Sequence, residues 1–374
     1  MSSPTKIRVL IVDDSALDRC VITNALARDP EIEIVGTACD AYVARDKILA
    51  LNPDVLTLDI EMPRMNGLTF LRTLQQYRPI PVIVISTLTQ AGSRTALEAL
   101  EAGAVDVIAK PSSARGCDDL REQLIRRIKA AACARVANLN PPTSCNNNAL
   151  SAPPLVPIRN PRQLILIGAS TGGTDAIRKV LTALPDGLPG ICIVQHIPPV
   201  FSAAFANRLN DCCRFEVREA EPGDEVRPGV AFVAPGDYHM SVSFEGGRYR
   251  VHLEQGPSLH FTRPAVDVLF NSAAPWAGPD TVAVLLSGMG SDGARGMQKL
   301  KQQGACTIVQ DESTCVVYGM PRAAVRMGIV DHVLPLEQIP NAILSGIQNR
   351  ADENSPQENM SSRMAGSHSP THNL

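Results

Sequence analysis

The stretch Arg162–Ile177, RQLILIGASTGGTDAI, changes character twice. Leu164 to Ile167 is an apolar run of strand type. Gly168, Ala169, Ser170, Thr171, Gly172 and Gly173 then turn the chain abruptly, and a helical pattern follows. A buried strand, a glycine-rich bend and a helix form the repeating unit of a parallel α/β sheet. Gly168–Gly172 also satisfies G-x-S-x-G, where glycines allow unusual dihedrals and leave the serine hydroxyl exposed. A glycine-rich turn of this kind equally suits a phosphate. By itself it leaves a nucleophile and an anion cradle both open.

Further along the chain, the ends of later strands decide between them. GICIVQH delivers His196 at the end of an apolar run, with Pro198 and Pro199 fixing the exit. TVAVLLSG, followed by MGSDGA, delivers Asp292 in a glycine-rich turn. Ligands of an open parallel sheet gather at the carboxyl ends of its strands, so Ser170, His196 and Asp292 can converge on one crevice. That is the set for acyl transfer: His196 takes the proton of Ser170 while Asp292 orients the imidazole. An anion cradle has no use for His196 or Asp292, so the serine reads as a nucleophile. The order Ser, His, Asp differs from the Ser, Asp, His order of α/β-hydrolases and disfavours that fold. Met289, in the turn before Asp292, can offer a backbone N–H to an oxyanion, as can the start of the helix after Ser170. GVAFVAP and ACTIVQ read as further strands. HMSVSFEGGRYRVHLEQG alternates around Gly246 and Gly247 and predicts a hairpin attached to the sheet.

Towards the N-terminus, residues 7 to about 135 alternate strictly between five apolar runs and five helical segments, the first with a candidate Ser15 cap. This argues a second parallel sheet covered on both faces. Its strand ends carry Asp13 and Asp14, Asp59, Thr87 and Lys110. Three carboxylates this close repel unless a cation sits among them, and Mg²⁺ favours such oxygen ligands. Asp59 is then placed to attack a phosphoryl donor, with Lys110 and the metal neutralising the phosphoryl oxygens and Thr87 offering a hydroxyl.

Composition narrows the class. The chain has 374 residues, enough for two domains, and 44% of them are hydrophobic, enough for real cores. A net charge of −3 and the lack of a basic recognition helix argue against nucleic acid as a partner. The start lacks a signal-peptide layout and no apolar run approaches a membrane span, so no membrane insertion is expected. Ten cysteines without any CxxC predict reduced, buried thiols and a cytoplasmic protein.

VDDS, LDIEMPRMNGL, ISTLT and AKP resemble the receiver domain of response regulators. The resemblance implies phosphotransfer from a histidine kinase to Asp59. It also implies Mg²⁺ held by Asp14, Asp59 and the Glu61 carbonyl, with Asp13 acting through water. Where many receivers carry an aromatic residue, this chain has Val107, so an aromatic switch is not expected. IGASTGGTDAI, VQHIPP, APGDYHM, RPAVDVLF, GMGSDGARGM and GMPRAA resemble the catalytic domain of chemotaxis protein-glutamate methylesterases. That resemblance implies Ser170, His196 and Asp292 as the triad, lined by Thr171 and Met289. Glutamyl methyl esters on chemoreceptors are then the substrates, glutamine deamidation is a second activity, and the esterase step needs no cofactor. The implied regulation is an unphosphorylated receiver packed over the crevice. The expected fold class is α/β with two doubly wound parallel-sheet domains. A flavodoxin-like receiver takes 6–135 and a Rossmann-like esterase domain with a β-hairpin takes 161–348. A Pro/Asn/Ser-rich linker spans 136–160 and a disordered tail 349–374.

Overall fold

The computed structural model describes residues 6–86, 89–110, 117–135, 162–278 and 281–353. In the N-terminal part, β1 (Ile7–Val12), β2 (Ile32–Ala38), β3 (Val55–Asp59), β4 (Val82–Ser86) and β5 (Asp106–Ala109) alternate with five helices. These are α1 (Ala16–Leu26), α2 (Ala41–Leu51), α3 (Gly67–Tyr77), α4 (Gln90–Glu101) and α5 (Cys117–Ala132). The strands pair in parallel in the order β2-β1-β3-β4-β5, the flavodoxin-like arrangement. Ser15 caps α1, its hydroxyl accepting the Asp18 N–H at 3.2 Å. β3 and β4 are buried at every residue, which is why they read as continuous apolar runs.

The C-terminal part opens with β6 (Leu164–Ala169), α6 (Gly173–Ala183), β7 (Gly190–Gln195) and α7 (Pro199–Cys212). Then come β8 (Glu216–Glu219), β9 (Glu225–Val226), β10 (Val230–Val233), β11 (His239–Glu245), β12 (Arg248–Glu254) and α8 (Val266–Ala277). It ends with β13 (Thr281–Leu285), α9 (Ala294–Gln302), β14 (Cys306–Gln310), α10 (Met320–Arg326), β15 (His332–Leu334) and α11 (Ile339–Glu353). Seven strands form a parallel sheet in the order β15-β14-β13-β6-β7-β10-β8. The chain leaves β6 towards β7 on one side and later returns to β13 on the other. The crevice between β6 and β13 is therefore the topological switch point, where ligands of such sheets collect.

The structure corrects several expectations. The hairpin β11–β12 is not attached to the parallel sheet; it joins β9 in a separate three-stranded antiparallel sheet. Alternation of buried and exposed residues along β11 and β12 is the signature of a half-buried layer, not of a strand covered on both sides. β8 and β15 are additional edge strands whose sequences, EVRE and HVL, lack the apolar run that marks the interior ones. α11 runs to Glu353, past the expected boundary at 349; the rest of the expected tail and the linker lie outside the described residues. The eight cysteines whose side chains are described are free thiols, but Cys20, Cys39, Cys133 and Cys212 are exposed, not buried. Cys192 and Cys315 fit the expectation, their thiols pushed up to about 12 by burial. Among the described residues no helix is long and apolar enough to cross a membrane.

Candidate active site

β6 ends at Ala169, and the chain bends at Ser170 because its backbone is held from two sides. The Ser170 N–H donates to Ser287 O at 2.9 Å, and its carbonyl accepts the Gly173 N–H at 2.7 Å and the Gln195 Nε2 at 2.9 Å. Gly172 supplies a φ of 75°, and a Cβ there would meet the Val316 side chain at 2.5 Å. β7 delivers His196 one residue past its end, and the β13–α9 loop delivers Asp292. The three side chains meet. His196 Nδ1 lies 3.0 Å from Ser170 Oγ, and His196 Nε2 lies 2.8 Å from Asp292 Oδ2. With a proton on Nε2 donated to the carboxylate, the lone pair on Nδ1 faces the serine hydroxyl.

Asp292 is buried and fully engaged. Its Oδ2 also accepts the Val266 N–H at 2.7 Å and its Oδ1 the Asp267 N–H at 2.9 Å, both at the start of α8. Burial alone would push its carboxyl up, but the bond and charge of His196 and these two N–H groups hold it below the ordinary carboxylate range. Gly288 lies against Ser170, where a Cβ would meet Ser170 Cβ at 2.7 Å, so Met289 follows directly beside the serine. Among the described residues the N–H groups of Thr171 and Met289 have no hydrogen-bond partner, whereas that of Ser170 is committed.

The five-stranded domain covers this crevice. Asp106, at the start of β5, accepts the Thr171 hydroxyl at 2.8 Å and is clamped from behind by Arg127. Arg126 stacks on the Phe261 ring at 5.1 Å, Arg208 pairs with Glu101, and Arg135 pairs with Glu312 at 3.3 Å. Leu97 and Val107 line one cavity together with Ser170 and His196. Val107 is thus buried at the crevice.

At the other end of β5, Lys110 Nζ lies 2.8 Å from Asp59 Oδ2, 2.9 Å from Asp13 Oδ2 and 3.0 Å from Asp18 Oδ2. The contact with Asp13 lacks hydrogen-bond geometry, so that buried oxygen has no hydrogen-bond partner. Burial pushes the Asp13 and Asp59 carboxyls above the ordinary range despite Lys110. Burial would lower Lys110, but Asp59 and Asp13 raise it further, and the amine stays charged. Carboxylate oxygens of Asp13, Asp14 and Asp59 lie within 4.8 Å of one another, a donor set that fits a hard divalent cation. The Glu61 N–H donates to Asp59 Oδ1 at 3.2 Å. Thr87 lies outside the described residues.

Sequence reasoning passed over Asp106, Gln195, His260 and Asp267. Asp106 and His260 act across the fold and sit in unremarkable local contexts; Gln195, the residue before His196, was the one with a usable positional signal.

The chain matches the CheB methylesterase family over residues 165–343 and the response regulator receiver domain over residues 9–122. It is 49% identical over 341 residues to a protein-glutamate methylesterase/protein-glutamine glutaminase of Syntrophus aciditrophicus, covering 91% of this chain and 99% of that one. A like-named protein of Anaeromyxobacter dehalogenans is 50% identical over 344 residues, covering 91% and 95%. The solved CheB methylesterase catalytic domain of Thermotoga maritima is 38% identical with a TM-score of 0.48, covering 49% of this chain and 97% of that one. A receiver joined to a methylesterase domain defines a response regulator with an enzymatic output. This chain belongs to the protein-glutamate methylesterase/protein-glutamine glutaminase family.

Proposed function

We propose that the chain hydrolyses glutamyl methyl esters on chemoreceptors by acyl transfer through Ser170, and that the receiver gates this site. The observation that carries the reading is the chain of contacts from Ser170 Oγ through His196 to Asp292 Oδ2. Ser170 Oγ attacks the ester carbonyl as its proton passes to His196 Nδ1. The imidazolium so formed is stabilised by Asp292, which stays ionised, and it returns the proton to the leaving methoxide as methanol. A water activated in the same way cleaves the acyl-enzyme and restores glutamate. With a glutamine substrate the leaving group is ammonia. The N–H groups of Thr171 and Met289 are the oxyanion donors in this reading; each donor of this kind contributes about 10²–10³ in rate.

Phosphorylation by a histidine kinase falls on Asp59. Asp14, Asp59 and the Glu61 carbonyl, with Asp13 behind them, would hold Mg²⁺, which when bound neutralises phosphoryl charge. Lys110 and Asp106 sit at opposite ends of β5, so drawing Lys110 onto a phosphoryl group bears on the strand that also contacts Thr171. The closed arrangement keeps a bulky receptor helix out, and phosphorylation favours the open one by the difference in phosphoryl stabilisation between the two. Methanol release from membranes carrying methylated receptors, with and without acetyl phosphate, tests both halves. Stimulated release supports the reading; no release from the full chain in either condition contradicts it.

A further inference from the structure

The turn Leu259–Thr262 is closed by two backbone bonds, Leu259 N–H to Thr262 O at 3.1 Å and Thr262 N–H to Leu259 O at 2.9 Å. Its central residues, His260 and Phe261, have φ of 51° and 61°. Two-residue turns with positive φ at both centres favour Asn-Gly, and a large side chain forced into that region is strained. Here both positions carry large rings, and both rings are occupied elsewhere. Phe261 receives Arg126, as described. His260 points the other way, towards the triad.

His260 Nε2 lies 3.0 Å from Asp267 Oδ2 and 3.9 Å from Asp292 Oδ1. Both carboxylates are buried. The other oxygen of Asp267 accepts the Gly296 N–H at 2.7 Å, and among the described residues His260 is the sole side chain hydrogen-bonded to the Asp267 carboxylate. Asp267 opens α8 beside Val266, and the N–H groups of these two residues hold both oxygens of Asp292, so the placement of Asp267 bears on that of the carboxylate. We propose that His260 is a positioning residue for ester hydrolysis: its Nε2–H, donated to Asp267 Oδ2, fixes Asp267 and with it the start of α8, whose N–H groups keep Asp292 against His196. The proposal rests on the reading of Ser170, His196 and Asp292 as the triad.

His260→Gly keeps the turn, because glycine adopts positive φ freely, and removes the ring. His260→Gln keeps a large side chain at a turn position that already holds one, and its amide N–H reaches the position of the lost Nε2–H that faced Asp267. Methanol release from methylated receptor membranes is measured on the full chain, with Ser170→Ala in the same assay. His260→Gly is expected to lower kcat by at least about tenfold, the usual cost of losing a partner that orients a catalytic group. KM, melting temperature and the fold-stimulation by acetyl phosphate stay at parental values. His260→Gln recovers most of the lost kcat. Parental kcat in His260→Gly, a loss confined to KM, or a stable His260→Gln protein as slow as His260→Gly would each overturn the proposal. If His260→Gly is destabilised, His260→Gln at parental melting temperature decides alone, near-parental kcat supporting the proposal and a tenfold loss refuting it. Residual turnover in Ser170→Ala would instead indict the triad reading.

Discussion

At the scale of single residues, the proposed chemistry depends on the two contacts of the His196 ring, Nδ1 with Ser170 Oγ and Nε2 with Asp292 Oδ2. The His196 ring is fixed at both nitrogens, so removing either neighbour does different damage. Ser170→Ala and His196→Ala are expected to abolish methanol release while leaving phosphorylation of the receiver intact. Asp292→Asn is expected to slow turnover by about 10⁴, the cost of the corresponding change in a serine protease, without removing it entirely, since the residue orients and does not react. Single-turnover assays on methylated membranes separate these cases. The acid cluster allows a prediction of opposite sign. Asp13 and Asp59 bind protons more tightly folded than unfolded, because burial raises both. In metal-free buffer this contribution therefore makes the receiver more stable as pH falls through the raised values towards the unfolded one near ~3.9. Asp13→Asn should accordingly raise its melting temperature at pH 7 and diminish the further rise produced by Mg²⁺. Calorimetry of the full chain with and without Mg²⁺ reads both; a lowered metal-free melting temperature would reverse the sign.

At the scale of elements, the strand ends matter more than the strands. Gly288 brings the loop after β13 against the Ser170 backbone, and a methyl group there would meet Met320 Sδ at 2.3 Å and Ser170 Cβ at 2.7 Å. Gly288→Ala should cost about 1–3 kcal/mol in stability and lower kcat more than KM, as read by urea midpoints and initial rates. An unchanged kcat would mean the loop yields without disturbing the serine. The same elements explain what was legible in the sequence. Strands buried on both faces, such as β3, β6 and β13, announce themselves as apolar runs, and the residues just past them could be read as candidate site groups. β8 and β15 were invisible because edge strands need not be apolar, and the separate β9–β11–β12 layer was misattached because alternation fixes a half-buried hairpin but not its partner. His260 and Asp106 escaped because their meaning lies in distant neighbours: a turn meeting a buried carboxylate pair, and a strand start meeting another domain.

At the scale of the whole molecule, one short strand joins the two chemistries, with Lys110 among the receiver acids at one end and Asp106 on Thr171 at the other. Asp59→Asn should keep basal esterase activity and lose its stimulation by a phosphodonor. Asp106→Ala removes a partly buried hydrogen bond to Thr171 of about 1 kcal/mol, so basal activity should rise about fivefold and stimulation shrink in proportion; an unchanged basal rate would disconnect this contact from gating. The most direct measurement is the rate of methanol release from methylated receptor membranes by the parent and by Ser170→Ala, each with and without acetyl phosphate. Release by the parent, accelerated by acetyl phosphate, and none by the variant in either condition is the expected result. Release by Ser170→Ala at a rate near that of the parent would contradict it.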